Sequence, residues 1–294
     1  MGAYIFTIRN FLSSTLVNLK ELAFNRYLLK NIAINQLREV IIMTNRAIEV
    51  NDLHVSYYGE EVLKGISLSV KKGNIVGVIG PNGAGKTTFL KAILHLIPKD
   101  KGDIKILGKN VNDARKKVAY VPQRNNIDWD FPITVLETVL LGTYPNLKIF
   151  RRPKKEDKKW AFECLKRVGM ESFSKRQIGE LSGGQQQRVF LARAIAQKAD
   201  ILFLDEPFVG IDVTSEEAIV NILKELSEEG KTLLVVHHDL SKVKEYFNQV
   251  ILINKQLIDY GNVDDVFQYE KIKKAYQGQF AFLNEIGVGD HALH

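Results

Sequence analysis

Residues 80–88 read GPNGAGKTT, and this spacing of glycines, lysine and threonine suits the holding of a chain of phosphates. Gly80, Pro81, Asn82, Gly83, Ala84 and Gly85 can curl so that successive backbone N–H groups point inward at phosphate oxygens. Lys86 then stands where it reaches the outer phosphates, and Thr87, followed by Thr88, offers a hydroxyl to Mg2+. The match means little without its context, an apolar strand before it and a helix after it. Both are present, as NIVGVIG and as GKTTFLKAILHLI. The start of that helix adds roughly half a positive charge.

Two more stretches carry complementary chemistry. In ILFLDEP (residues 201–207) four apolar residues form a buried strand whose end delivers Asp205 beside the phosphate loop, where its carboxylate can bind Mg2+. Glu206 comes next, points elsewhere, and can polarise an attacking water. Two adjacent acids with different tasks are what metal-assisted hydrolysis of a γ-phosphate requires; alone, the pair would read equally well as a strand ending in a solvated turn. In LSGGQQQR (residues 181–188) Ser182, Gly183 and Gly184 precede a helix beginning near Gln185. That is a second anion-binding end, with exposed N–H groups and a helix dipole behind them. The two ends lie far apart in sequence and on different elements. The economical arrangement is two chains head to tail, each nucleotide held by the loop of one and the second motif of the other.

Elements able to position these residues follow from periodicity. IEVNDLHVSY and ISLSV alternate like antiparallel strands around a turn at YYGEEV. ADILFLDEP and KTLLVVHHD are buried-strand runs separated by the helical VTSEEAIVNILKELSEEG. Residues 134–180 read as mainly helical with a charged insert. Alternating strands and helices imply a largely parallel sheet with helices on both faces.

Composition sets the bounds. The chain has 294 residues, 45% of them hydrophobic and 26% charged, as in an ordinary globular protein. No apolar run approaches the ~18 residues of a membrane span, and no secretory signal pattern opens the chain. One cysteine excludes an internal disulfide, and it makes no zinc-spaced cluster with the six histidines, so a reducing compartment fits. The net charge of +7 is local: residues 1–46 carry six Lys/Arg against two acids, and RRPKKEDKK spans residues 151–159. This second run reads as a solvated helix start, without the aromatics that stacking on nucleic-acid bases needs. Residues 16–42 have the pattern of an amphipathic helix for a membrane or partner surface. Against that, the strand pattern begins straight after Met43. We therefore expect the fold to start at Met43, with residues 1–42 an N-terminal extension whose native status the sequence leaves open. The catalytic domain is expected over residues 43–275, with a helical subdomain at about 130–188, and a tail over 276–294. His291 and His294 in that tail read as a frayed polar terminus.

The sequence LSGGQ at residues 181–185 resembles the signature of the ATP-binding cassette family. Other motifs agree in order and spacing from Ile48 to about Ala275. Tyr57 resembles the aromatic that stacks on adenine, with Tyr58 less well spaced. Gln123 in VPQ resembles the glutamine that contacts Mg2+ and the attacking water. Asp212, closing VGID at residues 209–212, resembles the acid of the loop through which two cassettes communicate. His238 in HHD resembles the switch histidine at the γ-phosphate, with His237 structural. The resemblance implies an α/β fold: a P-loop NTPase core with a mostly parallel sheet, an antiparallel β flank and a helical subdomain. It implies ATP and Mg2+ as cofactors and Glu206, His238 and Gln123 as catalytic residues. It also implies a homodimer that closes on ATP and opens after hydrolysis.

For the load, an importer ATPase with a separate permease chain leads. The interval between Lys86 and Ser182 is too short for the coiled coil of DNA-repair cassettes, and one cassette per chain is unlike ribosome-acting relatives. VPQRNNIDWDFPITVLETVLLG, DEPFVGID and VVHHDL are similar to ATPases of manganese, zinc or iron importers. This implies a peripheral place on the cytoplasmic face of the cell membrane, an extracytoplasmic metal-binding protein in the same system, and no nucleic-acid partner. The alternatives are a cassette for another small substrate, an exporter, or a non-transport cassette. Within residues 121–135, Pro122 and Pro132 stiffen the chain. Trp129 and Phe131, set between acids, suit a docking surface for the permease; alternatively they fill the core of the helical subdomain.

Overall fold

The computed structural model describes residues 45–148 and 151–276. The proposed extension, its amphipathic pattern over residues 16–42, and the terminal histidines lie outside the described residues.

The chain opens with β1 (Arg46–Tyr57) and β2 (Glu60–Lys71), paired antiparallel around a turn at Tyr58 and Gly59. The alternation that predicts β1 buries Ile48 and Val50, then Leu53 and Val55, so its phase slips by one residue at Asp52. The pairing register shifts between Val50 and Leu53, and Asp52 takes a φ of 50°. One extra residue in a strand keeps the apolar set facing inward on both sides of the slip.

Next come β3 (Ile75–Ile79), α1 (Lys86–Ile93), β4 (Lys101–Ile106), β5 (Lys109–Asn110), α2 (Val111–Ala114) and β6 (Val118–Val121). A helical region holds α3 (Val135–Leu140), α4 (Lys155–Arg167) and α5 (Gly183–Ala196). The chain then returns through β7 (Ile201–Asp205), α6 (Val213–Glu228), β8 (Thr232–Val236), α7 (Val243–Tyr246) and β9 (Gln249–Asn254). It ends in β10 (Gln256–Asn262), α8 (Val263–Val266) and α9 (Tyr269–Ala275).

Among the described residues two sheets result, in the orders β2-β1-β4-β5 and β10-β9-β3-β8-β7-β6. The first is antiparallel throughout. In the second, β9, β3, β8, β7 and β6 are parallel and β10 is antiparallel to β9. This is the expected α/β architecture of parallel core and antiparallel flank.

The uninterrupted apolar runs of β3, β7 and β8 have a simple cause: both faces of their sheet are covered. On one face Val76, Val78, Phe203 and Leu234 join Phe89, Leu90 and Ile93 of α1 and the inward residues of the antiparallel sheet. On the other, Ile75, Leu202, Leu204 and Val235 join a core that continues into the helical region through Val135, Val139, Leu165, Val189 and Ile195. Thr134 starts α3 with a capping box: its Oγ1 accepts from the N–H of Glu137 at 3.3 Å, and Glu137 Oε2 accepts from the N–H of Thr134 at 3.0 Å. Residues 151–159 lead into the exposed first turns of α4, where glutamate and aspartate face the helix dipole. Among the described residues no helix is long and apolar enough to cross a membrane.

Candidate functional site

The phosphate-type loop joins the end of β3 to the start of α1. Gly85 caps the helix at φ 91°, a left-handed conformation that side chains disfavour. A Cβ there would also meet Leu63 Cδ2 at 2.6 Å. The loop therefore needs glycine for both shape and space. Lys86 is 7% exposed, and its Nζ donates to the carbonyls of Gly80 at 2.7 Å and Pro81 at 2.9 Å. Burial pushes its pKa below the usual ammonium range, while the charges of Glu206 and Asp205 pull the other way. A buried cation inside a ring of backbone turns is a receptor for anionic oxygen.

Asp205, at the end of β7, is fully buried. Its Oδ1 accepts from Thr87 Oγ1 at 2.8 Å, and its Oδ2 accepts from Tyr120 Oη at 3.3 Å. Burial raises its pKa, partly offset by the Thr87 hydrogen bond. Glu206, the next residue, has a φ of 51°. A left-handed glutamate costs about 1–3 kcal/mol and persists where surroundings over-determine it. The turn swings its side chain to Gln123, whose Nε2 donates to Glu206 Oε2 at 2.6 Å. Two motifs far apart in sequence thus meet in one hydrogen bond.

The second anion-binding motif starts its helix earlier than its sequence suggests. Helix α5 begins at Gly183, with Ser182 as its cap, rather than near Gln185. The Ser182 N–H donates to Gln185 Oε1 at 3.0 Å, and the Gln185 N–H donates to Ser182 Oγ at 3.4 Å. This reciprocal pair makes Gln185 part of the first turn. Gly184 is required by contact: a Cβ there would lie 2.2 Å from Ser215 Oγ on α6. Asp212 caps α6, its Oδ1 accepting from the Ser215 N–H at 2.9 Å and its Oδ2 from Ser215 Oγ at 2.8 Å. Hydrogen bonds from Ser215 hold its pKa low. Among the described residues no hydrogen bond joins residues 182–185 to residues 80–88.

His238 is exposed after β8, whereas His237 is 2% exposed among Phe208, Tyr246 and Phe247. Tyr57 ends β1 with 40% of its surface exposed; Tyr58 is fully exposed at a φ of 52°. Trp129 and Phe131 part company. Trp129 is half-buried, stacks edge-on against Phe190 of α5 with centroids 5.3 Å apart, and donates from Nε1 to the Arg124 carbonyl at 3.1 Å. Phe131 is 58% exposed and borders a cavity of about 210 Å3 with Ile133, Leu141 and Phe190. Sequence reasoning gave no role to Tyr120 or Arg124, although both flank Gln123 within one short stretch.

A family model described as ABC transporter matches residues 63–209, half of the chain. The chain belongs to the ABC transporter family.

The chain is thus an ABC ATPase, and ABC ATPases bind and hydrolyse ATP. The chain is 53% identical over 237 residues to a protein named manganese transport system ATP-binding protein MntB from Halalkalibacterium halodurans, covering 81% of this chain and 94% of that protein. It is 49% identical over 241 residues to one named zinc transport system ATP-binding protein TroB from Treponema pallidum, covering 82% and 91%. Among solved structures, a dimeric bacterial ABC transporter cassette superposes with a TM-score of 0.66 at 32% identity, covering 74% of this chain and 98% of that one. A nucleotide-free cassette superposes with a TM-score of 0.67 at 26% identity, covering 78% and 94%. ABC cassettes dimerise and work with permease partners.

Proposed function

We propose that this chain is the ATP-hydrolysing subunit of a membrane importer for divalent transition-metal ions, manganese, zinc or iron. The observation that carries the ATPase is the meeting of Gln123 with Glu206 beside the Lys86–Thr87–Asp205 cluster. The metal is supported by close likeness to manganese and zinc transport ATPases over four fifths of the chain. Residues 43–275 act as the catalytic domain, with a helical subdomain at about 130–188 that reaches into α5.

Each residue has a task. The loop N–H groups from Gly80 to Thr88 and Lys86 hold the phosphates, and Tyr57 stacks on the adenine. Glu206 accepts the proton of the water that attacks the γ-phosphorus, and Gln123 fixes which way its carboxylate faces. His238, next to the buried His237, reaches the γ-phosphate. The residues fit Mg2+: Asp205 is a buried carboxylate with no ion-pair partner among the described residues, and its neighbour Thr87 supplies a second hard oxygen. Asp205, Thr87 and Gln123 would hold the ion, which when bound neutralises charge on the phosphoryl oxygens.

Ser182, Gly183, Gly184 and Gln185 face a second copy and complete its nucleotide site, with Asp212 at the seam. Moving an open pair to a mostly closed one needs about 5.5 kcal/mol. Two γ-phosphates, each with several charge-assisted bonds of ~1.5–3 kcal/mol, supply this. The assembly sits on the cytoplasmic face of the membrane, against a separate permease that an extracytoplasmic metal-binding protein loads. Phe131, exposed beside an apolar cavity, faces that permease.

Glu206→Gln should bind ATP, remain a closed dimer, and hydrolyse ATP about a hundred-fold more slowly or worse. A wild-type rate in that variant removes Glu206 as the base. In complex with its permease in vesicles, ATPase activity should rise with manganese, zinc or iron on the delivery side; stimulation by none of them would point to another cargo.

A further inference from the structure

Arg124 stands directly after Gln123 and reaches into the motif that faces the second copy. Its Nε donates to Gln186 Oε1 at 3.0 Å. Gln186 is 3% exposed on α5, and its Nε2 donates to the Ile178 carbonyl at 3.2 Å. Arg124 therefore satisfies the acceptor half of a buried amide. Its guanidinium also lies against the helix start, because a Cβ added at Gly183 would be 3.2 Å from Arg124 Cζ and 3.0 Å from the Gly210 carbonyl. A Cβ at Gly210 would be 3.9 Å from Arg124 Nη1.

A second tie reinforces the first. The Trp129 indole accepts the Arg124 guanidinium at 5.8 Å from its ring centroid, holds the Arg124 carbonyl through Nε1, and rests on Phe190 of the same α5. The segment carrying Gln123 is thus fastened to α5 at Gln186 and at Phe190. One planar guanidinium has a rigid fork, so it transmits position where a lysine would leave slack.

We propose that Arg124 is a positioning residue: it fixes Gln123 and Glu206, on this chain's own nucleotide, relative to residues 182–184, which meet the nucleotide of a second copy. This rests on the two-copy reading above. A change at Gln123 is carried to the α5 start through Arg124, so one site reports its state to the next.

The test uses the full chain in a Glu206→Gln background, following ATP-driven dimerisation by light scattering. Arg124→Ala should raise the ATP concentration for half-dimerisation about ten-fold or more, the scale of one lost charge-assisted bond. ATP binding to the monomer, measured by equilibrium dialysis at low protein concentration, should stay within about two-fold, since the phosphate loop is untouched. A merely structural role would weaken both together. Gln186→Leu should reproduce the dimerisation defect, and combining it with Arg124→Ala should add little, because both remove one bond. Arg124→Lys covers the case in which the alanine variant fails to fold, and should keep a smaller defect of the same kind. A half-dimerisation point unchanged in Arg124→Ala, or in Arg124→Lys where only that variant folds, overturns the proposal. A Glu206→Gln parent that stays monomeric with ATP overturns the two-copy reading, and the brace with it.

Discussion

His237 and His54 are titratable side chains with opposite electrostatic surroundings. His237 is buried among aromatic rings, and its Nε2 has no hydrogen-bond partner among the described residues. Burial pushes its pKa down to about 4, helped by the charge of His238. The unfolded chain, with an imidazole near 6.5, binds more protons below neutrality. Stability from this group is therefore complete above about 6.5 and falls as pH drops toward 4, by up to about 3 kcal/mol. His54 shows the reverse. Its Nδ1 meets Glu61 at 2.7 Å and its Nε2 meets Asp52 at 2.9 Å, and Asp52 also pairs with Lys101 at 2.6 Å. The bond to Glu61, then that to Asp52, raises its pKa. Its contribution is complete below about 6.5 and is lost as pH rises through the raised folded value. Urea unfolding at several pH values checks both signs: His237→Phe should flatten the acid slope, and His54→Gln the alkaline one. Two variants with wild-type slopes would show that neither ring governs the profile.

The start of α5 depends on contact more than on propensity. Gly184 sits where α5 and the capped end of α6 nearly touch, with room for no Cβ beside Ser215. Gly184→Ala should force the two apart, costing about 1–3 kcal/mol of stability and most of the hydrolysis. Because Ser215 Cβ would itself be 2.4 Å from the new methyl, Ser215→Ala should not rescue it, whereas Ser215→Gly should recover part of the stability. Thermal unfolding of the three variants distinguishes these outcomes. Strands β4, inside the antiparallel sheet, and β6, at the edge of the other, carry the weakest sequence signals. Strand β4 is KGDIKI, in which Ile104 and Ile106 are buried while the residues between and before them are charged or glycine. Strand β6 is four residues long, too short for a pattern. Both draw their stability from neighbouring strands, which a local window does not contain.

For the whole assembly, the opening of the helical region divides into an inner and an outer face. By sequence Trp129 and Phe131 suit either a docking surface or the core of the helical subdomain. Trp129 packs against α5, because its indole finds Phe190, the Arg124 carbonyl and the Arg124 cation within its own chain. Trp129→Ala should cost about 1–3 kcal/mol of stability, since the half-buried indole loses part of its apolar contact with α5 and its hydrogen bond to the Arg124 carbonyl. Phe131→Ala should leave thermal unfolding and basal hydrolysis unchanged but reduce metal uptake in vesicles holding the permease. Normal uptake by Phe131→Ala would place the permease contact elsewhere.

What the sequence by itself determined is chemistry that depends on neighbours along the chain. The curl at residues 80–88 and the acid pair at the end of β7 are local, because backbone conformation and helix ends are set within a few residues. So were the parallel-strand runs, whose unbroken apolarity records burial on both faces. Only the tertiary structure decided which distant groups meet. Gln123 and Glu206 touch because β6 and β7 are adjacent in one sheet and Glu206 turns left-handed at its end. Arg124 braces Gln186, and Ser215 demands a glycine at position 184, because separate elements were packed to contact. No spacing rule encodes such meetings, since side-chain partners across a core are chosen by close packing and hydrogen-bond satisfaction over the whole fold.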